Sequence, residues 1–232
     1  LADLARRQRG GTDEVYFVQN LYVNQTNVCR VKCKFCAFAA TSKQPQAYTI
    51  TADELVEDVL HQRDVTGFTE IHMVNGENPH VDFAFYRDTI ASLHDALPDV
   101  HLKCYTASEI HHMTTLSGLS HEQVLRELRD AGLGSLPGGG AEIFAPRVRR
   151  LVAPGKEPGE TWLAVHREAH ALGLRTNATL LFGHFETPEE QVEHMGELRD
   201  LQDDTGGFQA FIPLPFLPGN TDFSYLPGPS RE

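Results

Sequence analysis

Asn24-Gln25-Thr26-Asn27-Val28-Cys29-Arg30-Val31-Lys32-Cys33-Lys34-Phe35-Cys36-Ala37-Phe38 places three cysteines at C-x3-C-x2-C just after an apolar run. Thiols so spaced share one loop, and the fold has to present that loop at the end of an element. Three thiolates can cage one side of a cubane iron–sulfur cluster; a closed cluster takes four cysteine ligands, so one iron stays open. An open iron suits chemistry on a bound substrate atom better than electron storage. Zinc asks for four ligands in paired spacing, and no second half stands near Cys33 and Cys36. Disulfides are a weaker alternative in a chain whose first ten residues have no apolar, signal-like core. Unused buried thiols are disfavoured by Arg30, Lys32 and Lys34, cations that favour thiolates and an anionic cluster.

Around the loop, short apolar runs alternate with amphipathic helical runs, the pattern of βα units on a parallel sheet. Strands are expected at 15–23, 70–74, 100–106, 133–136, 176–182 and 207–212. Thr51 with Glu54, Ser120 with Gln123, and Thr187 with Pro188 and Glu190 mark helix starts, and Gly67, Gly132 and Gly173 mark ends. Further helices are expected over 82–97 and 160–172. Residues 1–14 read as a polar segment and 213–232 as a loop-like tail, all within one domain, 1–232. A complete eight-unit barrel typically needs about 250 residues. With six units countable, the expected fold is an α/β partial (β/α)6 barrel closed by right-handed crossovers.

In such barrels reactive groups gather at the C-terminal ends of strands. Here the first strand delivers the cysteines, the second Asn75-Gly76-Glu77 and the third Ser108-Glu109. The fourth delivers Gly138-Gly139-Gly140, and the fifth His184 and Glu186. The glycine run can aim N–H groups at a carboxylate or phosphate, or be a flexible turn. His184 and Glu186 can share a proton with one bound group, or supply two ligands of an incomplete metal site. Asn-Gly is also a common turn dipeptide, and a glutamate at a helix start is also ordinary. His61, His94, His121, His166, His170 and His194 fall inside expected helices, and Cys104 inside a strand, where structural roles suffice. A net charge of −12 argues against nonspecific nucleic-acid or anionic-membrane binding. No apolar run reaches the roughly 18 residues of a membrane span. The cytoplasm is the expected compartment.

The cysteine spacing, with Phe35 before the last cysteine, resembles the signature of the radical S-adenosylmethionine (SAM) superfamily. That resemblance implies a [4Fe–4S] cluster on Cys29, Cys33 and Cys36, with SAM as a substrate on the open iron. It implies Phe35 beside the adenine, and Ser108 and Glu109 at a ribose or methionyl contact. Asn75-Gly76-Glu77 resembles the Gly-Gly-Glu segment that holds the SAM amino group, with Asn75 in place of the first glycine. Leu136 to Ile143, Gly183 to Thr187, Leu201 to Asp203 and Thr205 to Pro213 are similar to one branch of the superfamily, that of futalosine-pathway menaquinone biosynthesis and deazaflavin-precursor synthesis.

Tyr105 to Ile110, Ala39-Ala40 and Phe211 to Phe216 resemble its aminofutalosine-synthase members rather than the cyclase or deazaflavin ones. The implied reaction adds the adenosyl radical to the enol ether of 3-[(1-carboxyvinyl)oxy]benzoate. Its carboxylates are expected at Gly138, Gly139, Gly140 and His184, with charge from Arg147, Arg149 or Arg175 if these are not at the surface. A reducing partner such as flavodoxin or ferredoxin is implied, and family members continue past residue 232. An iron–sulfur electron carrier is the alternative of another class, and would fully ligate or bury its cluster.

Overall fold

The computed structural model describes residues 17–229 together with Leu4, Arg7 and Gln8. Most of the expected polar segment, and Val15 and Tyr16 of the expected first strand, lie outside the described residues. Six strands form one sheet in chain order: β1 (Asn20–Val23), β2 (Glu70–Met73), β3 (His101–Cys104), β4 (Ser135–Leu136), β5 (Arg175–Phe182) and β6 (Phe208–Pro215). Every pair is parallel, with Val23 opposite Met73, Met73 opposite Cys104, Leu136 opposite Thr176 and Phe182 opposite Pro215. Parallel neighbours require crossovers, which here are helices. Strictly sequential order curls the sheet into a half-barrel, as the sequence pattern predicts.

Between residues 17 and 229 the helices are α1 (Ala52–Thr66), α2 (Phe83–Ala96), α3 (Ala107–Ser117), α4 (His121–Asp130), α5 (Pro146–Val152), α6 (Gly159–Ala171) and α7 (Pro188–Thr205). The capping boxes at Thr51, Ser120 and Thr187 form as expected, and Gly67 and Gly206 take the left-handed conformation that ends α1 and α7. Two helices are additions to the sequence reading. Tyr105 takes a left-handed φ of 62°, which stops β3 two residues early and lets Thr106 cap α3 through a box with Glu109. Ala107 to His112 are therefore helix rather than loop. α5 has only seven residues and begins on a proline, too short to show an amphipathic period.

β6 corrects the tail. It runs through Pro213 to Pro215, which had been expected as loop. Its only partner among the described residues is β5, and an edge strand tolerates proline because its outer flank needs no N–H.

Between sheet and helices lies a core that includes Ile71, Met73, Leu102, Cys104, Ile90, Leu125 and Trp162. A second apolar cluster packs Ile143, Val152, Leu180, Phe216 and Phe223 against Cys33, Phe35 and Phe185. The chain after β6 thus returns to the cysteine loop, where Asp222 N–H donates to Lys34 O at 3.0 Å. Among the described residues no helix is long and apolar enough to cross a membrane.

Candidate active site

The cysteine loop is closed at its neck. Cys29 N–H donates to Ala40 O at 2.9 Å and Ala40 N–H to Asn27 O at 2.8 Å. It lies across the end of β2, where Gly76 N–H donates to Thr26 O at 2.9 Å and Arg30 N–H to Glu77 O at 3.0 Å. A Cβ on Gly76 would stand 2.4 Å from Val28 O, so glycine is what lets two backbones cross here. That is a packing reason for Gly76 which the Asn-Gly-Glu pattern alone does not disclose.

Beneath the loop lies a cavity of about 180 Å³. Cys29, Cys33 and Cys36 line it with Phe35, and the end of β2 adds Asn75, Gly76 and Glu77. Ser108 and Glu109 reach it from the first turn of α3, and Gly139 and Gly140 from the turn after β4. Gly138 is not in the lining; it packs against β5, its carbonyl accepting from Thr179 Oγ1 at 2.5 Å. Glu142 and Lys156 also line it, two charged groups that the cysteine and strand-end motifs do not single out as site residues.

Lys156 Nζ lies 2.6 Å from Glu142 Oε1, and both side chains are nearly buried. Burial would raise Glu142, but the Lys156 ammonium holds it below the usual carboxylate range. Burial pushes the Cys33 thiol up to about 12 against the pull of the same ammonium. The charge that most favours a Cys33 thiolate is therefore Lys156, 123 positions away, and not the adjacent Arg30, Lys32 or Lys34. A lone lysine after a Pro-Gly turn offers no pattern by which to find it.

The carboxylates at the strand ends are wired into the fold. Glu109 Oε1 accepts from Asn75 N–H at 2.9 Å, and Oε2 accepts from Thr106 N–H and Oγ1 at 2.8 Å. Burial raises it to about 7 in spite of those donors. Glu77 is raised to about 7 by burial, opposed by Lys156 and by Arg30, whose guanidinium is 2.9 Å away. Ser108 Oγ donates to Glu157 Oε1 at 2.6 Å. Asn75 Oδ1 accepts from Gln25 N–H at 2.6 Å, and its Nδ2 is buried without a partner.

Arg149, a surface candidate in the sequence, is instead buried, donating to the carbonyls of Gly140, Ala141 and Glu157. Trp162 Nε1 donates to Gly139 O at 3.1 Å and Leu181 N–H to Glu142 O at 2.8 Å. Every carbonyl from Gly138 to Glu142 is thus drawn backward into the protein. Arg147 is exposed and pairs with Glu190, and Arg175 donates to Gly206 O.

His184 and Glu186 lie outside the cavity lining. His184 Nδ1 is 3.0 Å from Glu186 Oε2, both side chains are shut off from solvent, and Phe216 meets the imidazole edge to face. Nε2 has no partner. Burial would raise Glu186, yet His184, the N–H of Gly183 at 2.5 Å and Gln191 hold its carboxyl far below the usual range.

The donor set fits an iron–sulfur cluster. Cys29, Cys33 and Cys36 are free thiols, each partly exposed, on one cavity wall, while Cys104 is buried in β3. Among the described residues no three His, Cys, Asp or Glu side chains converge on a single metal ion.

These features define a radical SAM enzyme core, and the sequence pattern of the radical SAM superfamily matches residues 23–198. The chain belongs to that superfamily, whose cofactors are a [4Fe–4S] cluster and SAM. It is 48% identical over 218 residues to an aminodeoxyfutalosine synthase of Thermus thermophilus, covering 94% of this chain and 58% of that protein. It is 44% identical over 214 residues to the aminodeoxyfutalosine synthase of Streptomyces coelicolor, covering 92% and 55%. The chain thus spans little more than half the length of these relatives. The fold is that of methylornithine synthase, with a TM-score of 0.73 and 17% identity over 97% of this chain and 61% of that one.

Proposed function

We propose that the chain is the radical SAM core of an aminodeoxyfutalosine synthase. It would join the adenosyl carbon of SAM to the enol ether of 3-[(1-carboxyvinyl)oxy]benzoate in menaquinone biosynthesis. One observation carries the reading: the three thiols share a cavity with Asn75, Glu77, Ser108, Glu109, Gly139 and Gly140, in a chain 48% identical to such a synthase. The bound cluster supplies the electron that cleaves SAM.

Cys29, Cys33 and Cys36 hold the cluster and Phe35 flanks the adenine. Asn75, Gly76 and Glu77 take the SAM amino group on acceptor oxygens, while the orphaned Asn75 Nδ2 is a donor available to the SAM carboxylate. Ser108 and Glu109 face the ribose or methionyl group. Glu109 Oε1 accepts one protein hydrogen bond, and a carboxylate oxygen can accept two.

Gly139 and Gly140, backed by Gly138 against β5, serve the substrate carboxylates. With the loop's carbonyls committed behind, and φ positive at Gly140 and Glu142, alternate residues turn successive N–H groups into an anion-binding concavity. His184, oriented by Glu186, is assigned to the second carboxylate or to a proton at Nε2. Holding the alkene beside the adenosyl carbon is the main task of such a mouth. A one-electron donor such as flavodoxin or ferredoxin and a reducing, cytoplasmic setting complete the reading, supported by the free thiols.

The test uses the full-length protein with SAM labelled in the adenosyl ribose and the carboxyvinyloxybenzoate. Label is expected in an adenosine–benzoate adduct. Label chiefly in free 5′-deoxyadenosine would overturn the synthase assignment in favour of a hydrogen-abstracting cyclase or deazaflavin-precursor enzyme.

A further inference from the structure

The cysteine loop carries a charge opposite to the rest of the chain. Between residues 15 and 52 there are four basic residues, Arg30, Lys32, Lys34 and Lys43, and no acidic one. The whole chain has 20 basic and 32 acidic residues, which leaves 16 against 32 elsewhere. Arg30 is committed to Glu77 and His112. Lys32 and Lys43 are exposed and Lys34 half-exposed, with no ion pair to any described residue.

The hydrogen bonds at the neck place Lys32 and Lys34 inside the closed loop and Lys43 three residues beyond it. Beside that neck Phe38 and Tyr48, each 38% exposed, meet edge to face at 6.5 Å. Phe38 and the three cysteines line the same cavity. Exposed aromatic side chains mark contact surfaces, and surrounding charge orients the encounter with an oppositely charged partner.

We infer that this face, Lys32, Lys34 and Lys43 around Phe38 and Tyr48, docks an acidic one-electron carrier protein that reduces the cluster. The inference rests on the cluster reading above. One electron leaves the carrier and enters the cluster, with no atom transferred. The net negative charge of the rest of the chain disfavours an acidic partner there, so orientation and encounter rate come from this patch. Asp222, held to the loop through its N–H on Lys34 O, is an acid at the patch edge.

The experiment titrates flavodoxin, as an acidic carrier, against the iron-loaded full-length protein and follows Kd with salt. K32E/K43E should weaken binding about tenfold at low salt and flatten the salt dependence. K43E, outside the closed loop, should shift it in the same direction by less, and D222N should strengthen it. Reduction by methyl viologen, a small cation that needs no docking, should be unchanged in K43E, which lies outside the cluster loop. Equal flavodoxin affinity and salt slope in wild type and K32E/K43E, with a cluster that methyl viologen reduces in both, overturns the docking face alone. A wild type that binds no iron or sulfide overturns the cluster reading and this inference with it.

Discussion

Glu109 and Glu186 both follow strands at the mouth of the half-barrel, both accept backbone N–H groups, and burial pushes both carboxyls up, yet their partners leave them shifted in opposite directions. Glu109 is raised to about 7 because its surroundings offer only neutral donors and the nearby Glu77 carboxylate. Glu186 is held far down because His184, the N–H groups of Gly183 and Glu186, and Gln191 outweigh the same penalty. The two regions differ in how they are built. At the cysteine side, Glu109 ties β2 to α3, Asn75 ties β2 to the cysteine loop, and Ser108 ties α3 to Glu157. At the fifth strand the bonds are mostly local, with the N–H groups of Gly183 and His184 and the Gln191 amide on Glu186, Arg147 reaching in to Glu190, and Phe216 edge to face on His184. A site wired across the sheet leaves a cavity between its parts, whereas a self-contained turn closes on itself.

The sharpest break of that comparison is at the thiols. C29S, C33S and C36S should each lose cluster iron and sulfide after anaerobic reconstitution, while C104S keeps them. Retention in C29S, or loss in C104S, would place the ligands elsewhere.

Next in size are the contacts that exist only across the sheet. Glu109→Ala removes the acceptor of two N–H groups and a hydroxyl in a buried place, a cost of about 1–3 kcal/mol for each group left unpaired. Gly76→Ala puts a methyl 2.4 Å from Val28 O and should cost about 1–3 kcal/mol by overpacking. Urea denaturation reads both, and SAM affinity should fall with them; His184→Ala should spare SAM affinity and damage conversion.

The pH dependence of stability then separates the two carboxylates. Glu109, raised from 4.5 to about 7, binds its proton more tightly folded than unfolded. Its contribution is present below 4.5 and lost as pH rises towards 7, so E109Q should recover against wild type across that window. Glu186, depressed from 4.5, contributes above that pH and loses the contribution as pH falls, so the deficit of E186Q should shrink only in acid. Parallel profiles for E109Q and E186Q would refute the contrast.

The smallest effect belongs to a core histidine. Burial lowers His194 from 6.5 to about 4, with Nδ1 accepting from Phe144 N–H at 3.1 Å and Nε2 donating to Thr179 O at 2.9 Å. Unfolded His194 takes up a proton first, so stability is lost as pH falls from 6.5 to about 4. His194→Gln should flatten that limb at a cost of about 1 kcal/mol.

Local information was enough for much of this molecule. The alternation of apolar runs, the capping residues and the spacing of the cysteines are set by neighbours within a few positions, so the sequential parallel sheet and the three thiols could be read directly. α3 could not, because its start depends on Tyr105 taking a left-handed φ that no propensity favours. β6 ran further than expected because proline is excluded from paired flanks, and only topology shows that its outer flank is unpaired among the described residues.

Burial and partnership were likewise beyond the local pattern. Arg149 became a buried support for the glycine turn, Lys156 a buried cation beside Cys33, and Glu109 a bridge between strand ends. Which charges meet depends on crossovers that bring residues 33, 142 and 156 to one cavity. The chain's own order determined which groups stand at the strand ends; the curl of the sheet decided which of them face each other and which turn back into the protein.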